Sequence, residues 1–232
     1  MSTELTLSSN GRRIAGRLFS QPNGERSGAG VLFVHGQGSS QRGYMDRAAA
    51  VTERLGATCL TFDLSGHGES DGDRTTLTPR DHMEDALRAF DALVRSPGVE
   101  PDRVGVCAAS YGAYIAALLL GERDVRSALV RAPALYSDAD LDRPDPNRLS
   151  TEETVESAAA LRAVAAYDGP LLIVESEHDE AIPHAIVESY SRANRDARHE
   201  LMIGAAHRLS DERVRGRFVE IVVAWFAETL DG

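Results

Sequence analysis

The sequence predicts an α/β fold: a mostly parallel central sheet of about eight strands, opened by an N-terminal antiparallel hairpin and covered by helices on both faces. Three observations predict it. Apolar runs of strand length, rich in Val, Ile and Leu, alternate with stretches of helical periodicity. Two early runs, residues 5–8 and 13–19, flank Ser9-Asn10-Gly11, where Asn-Gly readily supplies the positive φ of a tight hairpin turn. The 232 residues, 42% apolar and 26% charged, are enough to bury one full core.

After the hairpin, residues 31–34, 58–62, 104–108, 128–131, 171–174 and 200–203 read as parallel strands, mostly apolar as befits strands buried on both faces. Helical patterns cover residues 44–55, 79–95, 111–120, 184–194 and 211–230. Thr78-Pro79-Arg80-Asp81 places a cap, a first-turn proline and an acid in order, and Ser150-Thr151-Glu152-Glu153 fits a capping box. The last helix spaces Val214, Phe218, Ile221, Val222, Trp225 and Phe226 along one face. Residues 136–169 break the alternation, with a polar, proline-broken run over 137–146 and then a helix over 151–166. The expectation is a single domain over 1–232 carrying a short cap insertion at about 136–169; a linker is the other reading of that stretch.

A formal charge of −11 repels polyanions, so nucleic acid and anionic membrane surfaces are not the expected partners. All 25 basic residues are arginine, and without lysine there is no Schiff-base chemistry. Cys59 and Cys107 each sit inside an apolar run and read as buried thiols. No apolar run is long enough to cross a bilayer, and Met1-Ser2-Thr3-Glu4-Leu5 lacks the order of a signal peptide, so a cytoplasmic location is expected. The expected partner is a small-molecule ester or amide substrate, bound by a monomer or a homodimer.

The chemistry concentrates in four places. Residues 104–114 read as a strand, then Ala108-Ala109-Ser110-Tyr111-Gly112, then a helix, which is the arrangement of a nucleophile elbow. The turn is so tight that only small residues fit two before and two after the nucleophile, and Ala108 and Gly112 meet that demand although the first is more often glycine. Next, His35-Gly36-Gln37-Gly38 follows an early strand; the backbone N–H of Gln37, with that of Tyr111, makes the expected oxyanion hole. The third place is Gly204-Ala205-Ala206-His207, after the last parallel strand, where His207 is the best base among seven histidines. The fourth is Glu175-Ser176-Glu177-His178-Asp179-Glu180, a strand running into an acidic loop, with Asp179 as the carboxylate that orients His207 and Glu175, Glu177 and Glu180 as its competitors. The order Ser110, Asp179, His207 differs from the two orders of the serine proteases.

With these segments and Asp63-Leu64-Ser65-Gly66-His67-Gly68-Glu69-Ser70, the sequence resembles the α/β-hydrolase superfamily, in particular its compact serine esterases and acyl-peptidase-like hydrolases, over nearly the whole chain. The resemblance implies the α/β-hydrolase fold, a structural role for the loop containing His67, and a strand order that separates Cys59 from Cys107. The chain departs from the family pattern where Glu175 stands at a position commonly glycine. The reading is a serine hydrolase, a carboxylesterase acting through an acyl-enzyme on a small or polar substrate, with no metal or organic cofactor needed. A serine peptidase or amidase on the same scaffold, and a non-catalytic binding protein, are the alternatives. The pocket is expected between Gln37, the elbow and the 136–169 insertion. Arg131 is a candidate for a substrate carboxylate or for an ion pair with a loop acid, and Tyr114 for lining the pocket or packing its helix.

Overall fold

The computed structural model describes residues 1–21, 27–144 and 158–230. Its strands are β1 (Ser2–Ser9), β2 (Arg12–Phe19), β3 (Gly30–Val34), β4 (Thr58–Phe62), β5 (Val104–Ala109), β6 (Ser127–Arg131), β7 (Leu171–His178) and β8 (Arg198–Ala206). The helices are α1 (Met45–Leu55), α2 (Pro79–Val94), α3 (Tyr111–Leu120), α4 (Ala159–Ala166), α5 (His184–Ala193) and α6 (Glu212–Leu230). The strands form one eight-stranded sheet in the order β1-β2-β4-β3-β5-β6-β7-β8. β1 and β2 pair antiparallel from Ser2 opposite Phe19 to Ser9 opposite Arg12, β2 joins β4 antiparallel, and the other neighbours are parallel. The hairpin turn is built as the Asn-Gly pair requires, with φ of 47° at Asn10 and 76° at Gly11. This is the α/β-hydrolase fold that the resemblance implied.

Two cores sandwich the sheet. α2, α3, α4 and α5 cover one face around Leu32, Phe62, Val106 and Ile173, while α1 and α6 cover the other around Val31, Phe33, Cys107 and Val174. Successive residues of β3 and β5 point to opposite faces and both faces are covered, so these strands are buried end to end. Cys59 and Cys107 are free thiols buried on the α1/α6 face, in β4 and β5, with β3 between those strands. The Thr78 cap forms as predicted: its hydroxyl accepts from the N–H of Asp81, whose carboxylate accepts from the N–H of Thr78 at 3.1 Å. Among the described residues no helix is long and apolar enough to cross a membrane.

Some boundaries differ from the expectation. β7 continues past Val174 through Glu175, Ser176, Glu177 and His178, and β8 begins at Arg198. Both extensions are polar, and β8 is the sheet edge, where pairing is one-sided and exposed residues suffice; an apolar-run criterion stops short there. The proposed capping box at Ser150 and the first part of the 151–166 helix lie outside the described residues, and α4 is described from Ala159.

α6 is held to the sheet by Phe226, whose ring lies so close over Gly105 of β5 that a Cβ there would meet it at 2.6 Å. Phe226 is fully buried. Phe226→Ala is therefore expected to cost about 3–5 kcal/mol and to lower the thermal midpoint by roughly 10 °C; a calorimetric scan showing no shift would contradict this packing.

Candidate active site

β3 and β5 are neighbours, but β3 is followed by a connection toward β4 and β5 by one toward β6, in opposite directions along the sheet. Loops diverge from such a switch point and leave a crevice at the strands' carboxyl ends. Ser110 stands there, immediately after β5, with φ 56° and ψ −126°. Its N–H donates to the carbonyl of Arg131 at 2.9 Å, and its own carbonyl accepts from Ala134 at 3.1 Å. The turn leaves no room beside it: a Cβ on Gly112 would fall within 2.5 Å of the Val34 carbonyl oxygen and onto that of His35.

His207 and Asp179 arrive from β8 and β7, on the far side of β6 from β5. A register irregularity between Ser176 and His178 lets β7 and β8 end with Asp179 and His207 facing each other. His207 Nε2 lies 3.1 Å from Ser110 Oγ, and His207 Nδ1 lies 2.9 Å from each carboxylate oxygen of Asp179. Asp179 also accepts from the N–H groups of Ala181 and Ile182 at 2.9 and 2.8 Å. Burial alone would raise the Asp179 carboxyl, but His207 and these two N–H groups together hold it below the usual carboxylate range. An ionised Asp179 accepts the Nδ1–H, which leaves Nε2 to accept the hydroxyl proton of Ser110.

The competing acids are engaged elsewhere. Glu175 pairs with His184 at 2.5 Å and His199 at 3.0 Å, Glu177 accepts from the N–H of Gly204 at 2.7 Å, and Glu180 accepts from the backbone of His207 at 3.3 Å.

The Gln37 loop lies against the elbow. Gly36 is so near that a Cβ on it would stand 3.2 Å from Ser110 Cβ. Tyr111 is the first residue of α3, so its N–H has no acceptor within the helix. The loop is anchored by His35, which donates from Nδ1 to the carbonyl of Gly36 at 2.8 Å and accepts at Nε2 from Leu64 at 3.0 Å. His67 is buried and donates to the Ser65 carbonyl, as a structural loop would have it. His82 donates to the same carbonyl and accepts the Tyr111 hydroxyl at 2.6 Å. Sequence reasoning did not single out His82; an isolated histidine on an apolar helix face carries no signal of its partner.

A cavity of about 460 Å³ opens at Ser110, lined by Gln37, Tyr44, Arg47, Arg131, His207 and Phe218 among others. Among the described residues α1 and α6 contribute to its wall, which the expected location did not include, and none of the described residues of the 136–169 stretch does; residues 145–157 lie outside the described residues. Arg131 lines it without the loop acid that the ion-pair reading required: its guanidinium donates to Ser176 Oγ at 2.6 Å and to the His207 carbonyl at 2.7 Å. Tyr114 does not line it. Its ring is buried on the opposite face, 4.8 Å from that of Tyr136, because α3 turns this position into the core. Among the described residues no three His, Cys, Asp or Glu side chains are grouped to hold a metal ion.

The sequence profile of the alpha/beta hydrolase family matches residues 31–153, just over half of the chain. Thiohydrolase aneE of Aspergillus aculeatus is 31% identical over 101 residues, which are 43% of this chain and 31% of that protein, so the chain spans about a third of that relative's length. Among solved structures, Est1E from Butyrivibrio proteoclasticus with ferulic acid bound superposes with a TM-score of 0.79 at 19% identity, covering 98% of this chain and 100% of the other. The enol-lactonase from Burkholderia xenovorans gives 0.73 at 17% identity, covering 96% and 100%.

Burial brings the pKa of His35 and of His82 down from 6.5 to about 4, so both are neutral in the folded protein at pH 7. Below pH 6.5 the unfolded chain takes up protons that these folded-state histidines refuse, so stability falls from about pH 6.5 to about pH 4. In urea titrations across that range, His82→Gln should make the decline shallower by about one proton, or ~1.4 kcal/mol per pH unit; an unchanged slope would show that His82 is not held neutral.

Proposed function

The chain belongs to the alpha/beta hydrolase family, and from that premise we propose that it is a serine hydrolase, cleaving carboxylic esters of small or polar substrates through an acyl-enzyme. The observation that carries this reading is the unbroken chain from Ser110 Oγ to His207 Nε2 at 3.1 Å and from His207 Nδ1 to Asp179 at 2.9 Å. Ser110 is the nucleophile, His207 the base and Asp179 the group that fixes its tautomer.

In the first step His207 Nε2 takes the proton of Ser110 as Oγ attacks the ester carbonyl carbon. The carbonyl oxygen becomes an oxyanion, held by the N–H groups of Gln37 and Tyr111, each contributing about 2.7–4 kcal/mol to the transition state. Collapse of the tetrahedral intermediate breaks the bond to the leaving oxygen, which takes the proton from His207. Water then gives a proton to His207 and its oxygen to the acyl carbon; the second collapse frees the acid and returns the proton to Ser110. Asp179 stabilises the imidazolium in both halves without taking the proton itself. The thiohydrolase and the enol-lactonase among the relatives are named in keeping with acyl-bond cleavage.

p-Nitrophenyl butyrate is a direct assay. Ser110→Ala should lower kcat/KM by at least ~10³-fold, and Asp179→Asn, which keeps the shape but favours the wrong histidine tautomer, should lower kcat by about 10⁴. Retention of more than about 5% of wild-type turnover by Ser110→Ala would rule out this serine as the nucleophile.

A further inference from the structure

The cavity at Ser110 is strongly asymmetric in charge. Four arginines line it, Arg47, Arg131, Arg208 and Arg215, and among the described residues no aspartate or glutamate does. This sits in a protein whose formal charge is −11. The two innermost guanidiniums are the informative ones. Arg131 is 6% exposed and Arg47 5%, and both stack on the ring of Phe218, at 5.6 and 5.2 Å. Arg131 forms no ion pair with a described carboxylate; its two contacts are a neutral hydroxyl and a carbonyl. Arg47 bonds to the Gly43 carbonyl and pairs with Asp46 at 3.0 Å, and its Nε is buried with no partner. Asp46 is also 3.9 Å from Arg215, and Asp179 is taken up by His207.

Two buried cations sharing one ring repel each other, and a buried arginine ordinarily keeps an anion at ion-pair distance. Burial accordingly pulls the pKa of Arg131 below its ordinary value; Tyr44 and Asp179 act against the shift and Arg47 adds to it. Among the described residues no carboxylate on the far side of the cavity offsets this excess: its other walls are backbone, Gln37, Ser39, Tyr44, Ser110, Leu209 and the His207 imidazole. Asp46 offsets part of this charge at Arg47, whereas Arg131 has no described carboxylate at ion-pair distance, and its counter-charge is one that arrives with a ligand. Planar guanidiniums match oxyanions with two oxygens to offer, carboxylate or phosphate, and bind them most strongly where water is excluded.

We infer that the cavity lined by Arg47 and Arg131 is an oxyanion-binding subsite, and that the substrate of this enzyme carries a carboxylate or phosphate group on a short tail beyond the bond presented to Ser110. The inference rests on the serine-hydrolase reading and deepens it: Arg131 selects the substrate by its charge while its backbone supports the elbow. Arg208, exposed at the rim, and Arg215 draw the anion in from solvent.

Binding to Ser110→Ala, followed by calorimetry, reads the subsite without turnover. Adipate and butyl phosphate are the anionic probes, and adipamide is the neutral match for adipate. One or both anions should bind at least tenfold more tightly than adipamide, with the tighter of the two telling carboxylate from phosphate, and the preference should weaken as salt rises. Adding Arg47→Met or Arg131→Met should remove at least tenfold of that preference. Should Arg131→Met unfold through loss of its Ser176 and His207 contacts, the pair Arg208→Gln and Arg215→Gln should still weaken anion binding and flatten its salt dependence. Equal binding of adipate, butyl phosphate and adipamide, or no binding of any, would overturn the subsite. Ser110-dependent ester turnover in the wild-type protein, measured alongside, tells that failure apart from a failure of the hydrolase reading.

Discussion

Ser110 occupies a backbone conformation that side chains other than hydrogen seldom accept, φ 56° and ψ −126°, and the surroundings are built to keep it there. Such a conformation costs on the order of 1–3 kcal/mol and persists only where its neighbours over-determine it. Here a buried strand leads in, a buried helix leads out, and hydrogen bonds to Arg131 and from Ala134 hold the turn between them. Ala132, on the adjoining strand end, also has a positive φ of 43°. Two strained turns side by side bring the ends of β5 and β6 together, which exposes the Ser110 hydroxyl at the crevice and aims the Arg131 side chain at the same cavity. A side chain at Gly36 would crowd the elbow, and one at Gly112 would run into the Val34 and His35 carbonyls at the end of β3.

The two faces of the sheet treat charge in opposite ways at this point. On the α2/α3 face two histidines kept neutral by burial brace the elbow, each donating to one carbonyl, His35 against the Gln37 loop and His82 against Tyr111. On the α1/α6 face, cations are buried instead, and their excess is oriented toward the cavity. In the proposed reading the first arrangement serves acyl transfer and the second selects among substrates.

Much of this was legible in the sequence because each candidate catalytic element is local. A strand, a serine between small residues and a helix specify an elbow within 11 residues of chain, 104–114, and Asn10-Gly11 specifies its hairpin turn by backbone freedom alone. Asp179 could be singled out by its position at a strand end, but setting it apart from Glu175 and Glu180 needed geometry, since those carboxylates find partners in His184, His199 and the backbone of His207. The wall of the cavity was not legible. Arg47 comes from α1 and Phe218 from α6, 171 positions apart in sequence, and meet only because both helices pack on one face of the sheet. Tyr114 illustrates the converse: its place three residues after Tyr111 put it near the site in sequence, while the turn of α3 buried its ring on the other face.

The account stands on an activated serine at one address. Intact-mass analysis after brief treatment with a fluorophosphonate, followed by peptide mapping, reads it without assuming any substrate. Fast addition of a single phosphonyl group at Ser110, lost in His207→Ala, is the result the account predicts. A folded protein that stays unlabelled, or one labelled at another serine, would contradict it.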